Sequence, residues 1–99
     1  MNTSRIVAEL AHTDAGTLLL VVDKLGGHLR SDQAVEVTGF TRTYVHKLTR
    51  RLSRYGLVVA NQQTLAEEVN LTPQAREIAG ALRRAGARAA VPRRPGDAP

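Results

Sequence analysis

Apolar residues recur along this chain with two spacings, and the point where one gives way to the other organises it. Ile6, Val7 and Leu10 share one face of a short helix that Asn2, Thr3 or Ser4 can cap. Thr13 or Asp14 can cap a second helix, whose buried side runs from Leu18 to Leu25 and which Gly26-Gly27 ends. His28-Leu29-Arg30 is long enough for a short strand. Ser31 with Asp32 opens a brief helix with Ala34, Val35 and Val37 as its apolar positions. Gly39 permits a sharp turn and Phe40 anchors it. Thr41 then caps the longest clear helix, which runs through Tyr55 and closes at Gly56.

Past Gly56 the period drops from 3.6 to 2. Leu57-Val58-Val59-Ala60 reads as a strand, Asn61-Gln62-Gln63-Thr64 as a turn, and Leu65 to Leu71 as the returning strand. Thr72-Pro73 starts a last helix, with a capping hydroxyl and proline at the first helical position. Ala75, Ile78, Leu82, Ala85 and Ala89 then recur three and four apart. The order is helix, helix, short strand, helix, helix, hairpin, helix. A mainly α chain with a small β-hairpin, in which two helices joined by a tight glycine turn precede the hairpin, is expected to be a winged helix-turn-helix. The expected organisation is one domain over residues 1–90, with a disordered tail at 91–99 where three prolines interrupt any pattern.

Composition alters this picture mainly through charge. The 99 residues carry 14 Lys and Arg against 9 Asp and Glu, a formal +5, with 42% hydrophobic residues and Phe40, Tyr44 and Tyr55 as the aromatics. The excess is uneven: residues 1–40 sum to −2, residues 41–56 hold five bases and no acid, residues 57–75 sum to −2, and residues 76–99 to +4. Such a cluster is the electrostatic footprint of a polyanion partner. Rotating the 41–55 helix by about 100° per residue gathers Val45, Leu48, Leu52, Tyr44 and Tyr55 in one arc. Thr43, His46, Lys47, Arg50 and Arg54 stand opposite, with Arg42 toward the N-terminus and Arg51 on a flank.

A major groove admits one helix, and an arginine can donate two hydrogen bonds to guanine, worth roughly 1–3 kcal/mol of discrimination. Residues near the N-terminus of such a helix reach deepest. Arg42, Thr43, His46 and Lys47 are therefore expected to read bases, and the capping Thr41 is counted with them among the DNA-binding residues. Arg50 would straddle bases and phosphate, and Arg51 and Arg54 would contact phosphate. The expected partner is double-stranded DNA.

The stretch Thr38-Gly39-Phe40-Thr41-Arg42-Thr43-Tyr44-Val45-His46-Lys47-Leu48-Thr49-Arg50-Arg51-Leu52-Ser53-Arg54-Tyr55-Gly56-Leu57-Val58 resembles the recognition helix and wing entry of bacterial winged-helix regulators. MarR-like proteins are the nearest in pattern, and ArsR-like and GntR-like families are also similar. Asn70-Leu71-Thr72-Pro73-Gln74-Ala75 resembles the exit from a MarR-like wing. The resemblance covers roughly residues 14–85, and it is more specific for the fold than for a subfamily. It implies a transcriptional regulator, a repressor that occupies an operator. Two departures stand out. MarR-like wings commonly carry an arginine near the tip, whereas here Asn61, Gln62 and Gln63 form the wing and Glu67 and Glu68 follow. The chain is also shorter than a typical MarR-like protein, which implies that the ligand pocket of that family is missing.

A homodimer is expected, with its seam formed by Ile78, Leu82, Ala85 and Ala89 together with Ile6 and Leu10 of the first helix. Arg83, Arg84, Arg88, Arg93 and Arg94 could add phosphate contacts or keep the last helix and tail soluble. The absence of cysteine excludes disulfides and thiolate metal sites. His12, His28 and His46 fall in different elements without metal-ligand spacing, so no metal or cofactor is expected. Neither a phosphate loop, a nucleophile elbow nor a carboxylate pair marks an enzyme, so no catalytic residue is assigned. The longest apolar run, Leu18 to Val22, is too short to cross a bilayer and lacks the flanks of a secretory signal, so a cytoplasmic protein without membrane contact is expected. Two alternatives share the same residues: a plasmid-partition, replication or architectural protein that coats DNA, and a protein-interaction adaptor that keeps the winged-helix fold.

Overall fold

In the computed structural model, residues 3–59 and 68–86 are described. Five helices and a two-stranded antiparallel sheet account for most of them: α1 (Thr3–Leu10), α2 (Asp14–Lys24), β1 (His28–Arg30), α3 (Ser31–Thr38), α4 (Arg42–Arg54), β2 (Glu68–Asn70) and α5 (Pro73–Arg84). The protein is mainly α with a small β component.

The centre is α2. Leu18 to Asp23 are all buried, and a helix that is apolar on every side must be enclosed. Helices α3, α4 and α5 pack on it, and α1 packs against α2 and α5. Thr13 fixes its start, accepting a hydrogen bond from Gly16 N at 3.1 Å and donating to Leu10 O at 2.7 Å. Its end is closed by Gly27 N donating to Val22 O at 2.8 Å. Twenty buried apolar residues form one cluster that draws on every helix and both strands.

The returning chain of the expected hairpin has a partner on each side. β2 forms its ladder with β1, in the register His28↔Asn70, Leu29↔Val69 and Arg30↔Glu68. Residues 57–59 run along the other side of the returning chain, joined to it by a Val58↔Leu71 bridge, a Val59 N to Asn70 O bond of 2.9 Å and a Thr72 N to Leu57 O bond of 3.1 Å. Leu29 and Val69 are both buried, and pairing β1 with β2 brings their side chains into the core side by side. The expected turn at Asn61, Gln62 and Gln63 lies outside the described residues.

Ser31 opens α3 as its first residue and is buried. Arg30 stands at the N-cap, its N–H donating to Gln33 Oε1 at 3.1 Å. Gly39 then ends α3 at φ +77°, a left-handed conformation that lets α4 leave at once in a new direction. Thr41 caps α4, accepting from Tyr44 N at 3.2 Å, and Thr72 caps α5, accepting from Ala75 N at 3.2 Å. The first part of the α5 stripe, Ala75, Ile78 and Leu82, is buried within the chain. Ile78 and Leu82, like Ile6 and Leu10, are at most 1% exposed, packed inside this chain's own core. These four are therefore not available as an exposed seam for a second copy. Ala85 is exposed at the end of α5, and Ala89 lies outside the described residues.

Candidate nucleic-acid interface

Helix α4 separates its residues by chemistry. Val45, Leu48, Thr49 and Leu52 are buried, and Thr49 satisfies its hydroxyl on Val45 O at 2.8 Å, leaving no polar atom of that face unpaired. Thr43, Lys47, Arg50, Arg51 and Arg54 are exposed on the other side. Between the two faces sit the half-buried Tyr44 and Tyr55. Tyr44 braces the helix: its hydroxyl donates to Asp14 Oδ2 on α2 at 2.5 Å, and its ring meets Phe40 edge-on at 5.1 Å. The bond to Asp14 raises the Tyr44 phenol above its ordinary range, burial and the Asp14 charge add to this, and the Arg51 charge opposes it.

The exposed side of α4 opens into a groove of about 1270 Å³, whose other wall is α1 through Arg5, Ile6 and Glu9. Lys47, Arg50, Arg51 and Arg54 line it from α4, with Ile6, Leu48, Tyr44 and Tyr55 as its less polar surface. None of those four α4 cations has an acid partner among the described residues. With Arg5 and the single acid Glu9, the groove carries a formal +4. The rest of the described chain balances. Lys24, Arg30, Arg42, Arg76, Arg83 and Arg84 face Asp14, Asp23, Asp32, Glu36, Glu68 and Glu77, six bases against six acids. The whole formal charge excess of the described residues therefore lies along one groove.

The structure does not gather all the sequence-selected residues there. Lys47, Arg50, Arg51 and Arg54 come together, with Thr43 and His46 on the same lining. His46 departs from the expected base reader, because its Nε2 is buried without a hydrogen-bond partner among the described residues. Arg42 faces a separate depression of about 480 Å³ with Arg30, Ser31, Asp32 and Glu68, where charges cancel. The reason is helical phase: position 42 lies well round the helix from the centre of the Thr43–Lys47–Arg54 arc. The Thr41 hydroxyl is engaged in capping. Glu68 belongs to the ladder opposite Arg30, and the wing residues Asn61, Gln62 and Gln63 are not described. Arg5 and Glu9 were missed by sequence reasoning. Their four-residue spacing signals an ion pair on α1, seen at 3.5 Å, but nothing local places α1 across from α4.

Among the described residues, no three His, Cys, Asp or Glu side chains gather as metal ligands, and no helix is long and apolar enough to cross a membrane. In comparison with known proteins, no family model, curated protein or solved structure matches the chain.

Proposed function

We propose that the chain is a winged helix-turn-helix protein that binds double-stranded DNA in a sequence-specific way, as a transcriptional regulator and most simply as a repressor. In this reading α3, the Gly39 turn and α4 are the helix-turn-helix, β1 with β2 leads into the wing, and α4 enters the major groove. The observation that carries the reading is the concentration of unpaired cations on the exposed face of α4, beside a scaffold whose other charges balance. A solvated helix face would be expected to intersperse acids among its bases. Thr43 and Lys47 occupy the part of that face nearest the helix N-terminus and would read base edges. Arg50 would bridge bases and backbone, and Arg51 and Arg54 would hold phosphates. Binding alone accounts for these groups, so no reaction is assigned.

A two-fold dimer would set two copies of α4 about 34 Å apart, matching a pseudo-palindromic site. Such a dimer must use surfaces other than Ile6, Leu10, Ile78 and Leu82, which the chain's own core occupies.

The test is selection of bound sites from a random duplex pool, followed by fluorescence anisotropy on the selected site across a salt series. The logarithm of the binding constant is expected to fall linearly with that of salt, by about 0.9 per neutralised phosphate. Arg54→Ala should weaken binding to all sequences alike, whereas Lys47→Ala should also relax the selected consensus. If the wild type binds no duplex at low salt, or neither substitution weakens binding, the reading is wrong.

A further inference from the structure

The two flanks of α4 are electrostatically unlike, and this gives the bound duplex a direction. A helix lying in a major groove has a sugar–phosphate strand on each side. On the Arg42 side a strand would meet Arg30 and Arg42 offset by Asp32 and Glu68, with Arg30 held to Asp32 at 3.4 Å. On the α1 side it would meet Arg51 and Arg54 from one wall and Arg5 from the other, with Glu9 the only acid. We propose, building on the DNA-binding reading above, that the groove between α1 and α4 seats one phosphate strand of the duplex. Arg5 is its outer clamp, and Glu9 is the residue that moderates its grip.

Helix α1 is suited to this role by the way it is anchored. Ile6 and Leu10 are buried on the inner face and pack α1 onto the core, so the backbone that carries Arg5 is fixed. The Arg5 side chain itself is 78% exposed and free to turn outward. Its ion-pair partner among the described residues is Glu9 at 3.5 Å, itself exposed, and an exposed pair of this kind exchanges readily for a phosphate. The half-buried Tyr55 offers aromatic surface between the cationic walls, against which a sugar of that strand can pack. Phosphate contact from α1 would also serve where the wing sequence offers amides and acids in place of an arginine.

The experiment measures duplex affinity and its salt slope for the wild type, Arg5→Ala, Glu9→Gln and Lys47→Ala, all on the selected site. Arg5→Ala is expected to reduce the slope by about 0.9, so that its deficit against the wild type changes about threefold between 50 and 200 mM salt. Its consensus should be unchanged, because a phosphate contact carries no base information. Glu9→Gln is expected to bind more tightly than the wild type. Since the chain has no cysteine, Arg5→Cys can carry one iron–EDTA group per protomer, which should cleave one cluster of nucleotides beside each half-site. Unchanged slope and affinity in Arg5→Ala, alongside a loss in Lys47→Ala, would overturn the α1 clamp and leave the α4 reading standing. Absence of cleavage from position 5 at a protein concentration where the labelled variant is bound to the duplex would overturn it equally. Failure of the wild type to bind any duplex would remove both.

Discussion

Asp23 near the end of α2 receives Arg83 from sixty residues further along the chain, with Arg83 Nη1 2.5 Å from Asp23 Oδ2. The other carboxylate oxygen takes Arg76 Nε at 2.5 Å, and Arg76 Nη1 also donates to Gly26 O at 2.8 Å. The carboxylate is 8% exposed while both guanidiniums are about half exposed, so one buried acid ties α5 to α2 at two places. This withdraws Arg83 from the set of side chains that could contact phosphate, although it lies in the basic C-terminal quarter.

Asp23→Ala should therefore destabilise the fold by about 1–3 kcal/mol, seen as a lower urea midpoint. The loss should fall short of the 3–5 kcal/mol typical of breaking a fully buried pair, because both arginines can rehydrate. Arg83→Ala should also lower stability while leaving the salt slope of DNA binding unchanged. A reduced slope would return Arg83 to the interface.

Thr41 stands at the head of the basic helix, and its hydroxyl is engaged in capping α4. Thr41→Ala should cost about 1 kcal/mol of stability, and Thr41→Ser should recover most of it, since serine offers the same acceptor to Tyr44 N. Measured well below the unfolding transition, the DNA affinity of Thr41→Ala should match the wild type. An affinity loss without a stability loss would make the hydroxyl a DNA contact.

Helix α4 was legible because its information is local: the Val45, Leu48, Leu52 period, the capping Thr41 and the closing Gly56 all lie within a few turns. The start of α5 was legible from Thr72-Pro73 for the same reason. Partner choice was not. A three-residue strand such as β1 carries no mark of whether its neighbour is the chain before or after the wing, and only the joint burial of Leu29 and Val69 decides it. The stripe through Ile78 and Leu82 likewise says that a face is buried, without saying against what. A dimer seam and an internal core share one periodicity. Placing Arg5 across from Arg51 required the tertiary path of α1, which no spacing encodes.

Two helical glycines should respond to alanine in opposite directions. A methyl at Gly16 would overlap the Leu10 carbonyl oxygen where α1 turns into α2, and both segments are held by core residues. Gly16→Ala should destabilise by about 1–3 kcal/mol. At Gly80 in α5 the nearest group to an added methyl is the flexible end of Arg84, at 3.4 Å. Gly80→Ala should stabilise by about 0.4–1 kcal/mol by restricting the unfolded chain. Thermal unfolding of the two variants side by side checks the contrast, and equal signs would contradict it.

Tyr44 provides a spectroscopic probe of how α4 is held. The chain has two tyrosines, so Tyr55→Phe leaves Tyr44 as the one phenol to titrate by tyrosinate absorbance. Its midpoint should lie above the ordinary value of about 10, first because the hydroxyl donates to Asp14, then through burial and the Asp14 charge. Asp14→Asn should move the midpoint downward. The sign for stability follows: a phenol whose folded value is raised stabilises fully below its unfolded value and loses that contribution as pH rises through the folded one. The stability difference between wild type and Tyr44→Phe should thus be constant near neutrality and shrink only in strong alkali. Because Arg51 opposes the shift, a phosphate seated on Arg51 would offset that charge and carry the Tyr44 midpoint higher still. A midpoint at or below the ordinary value in the free protein would mean that the Tyr44–Asp14 brace does not form in solution.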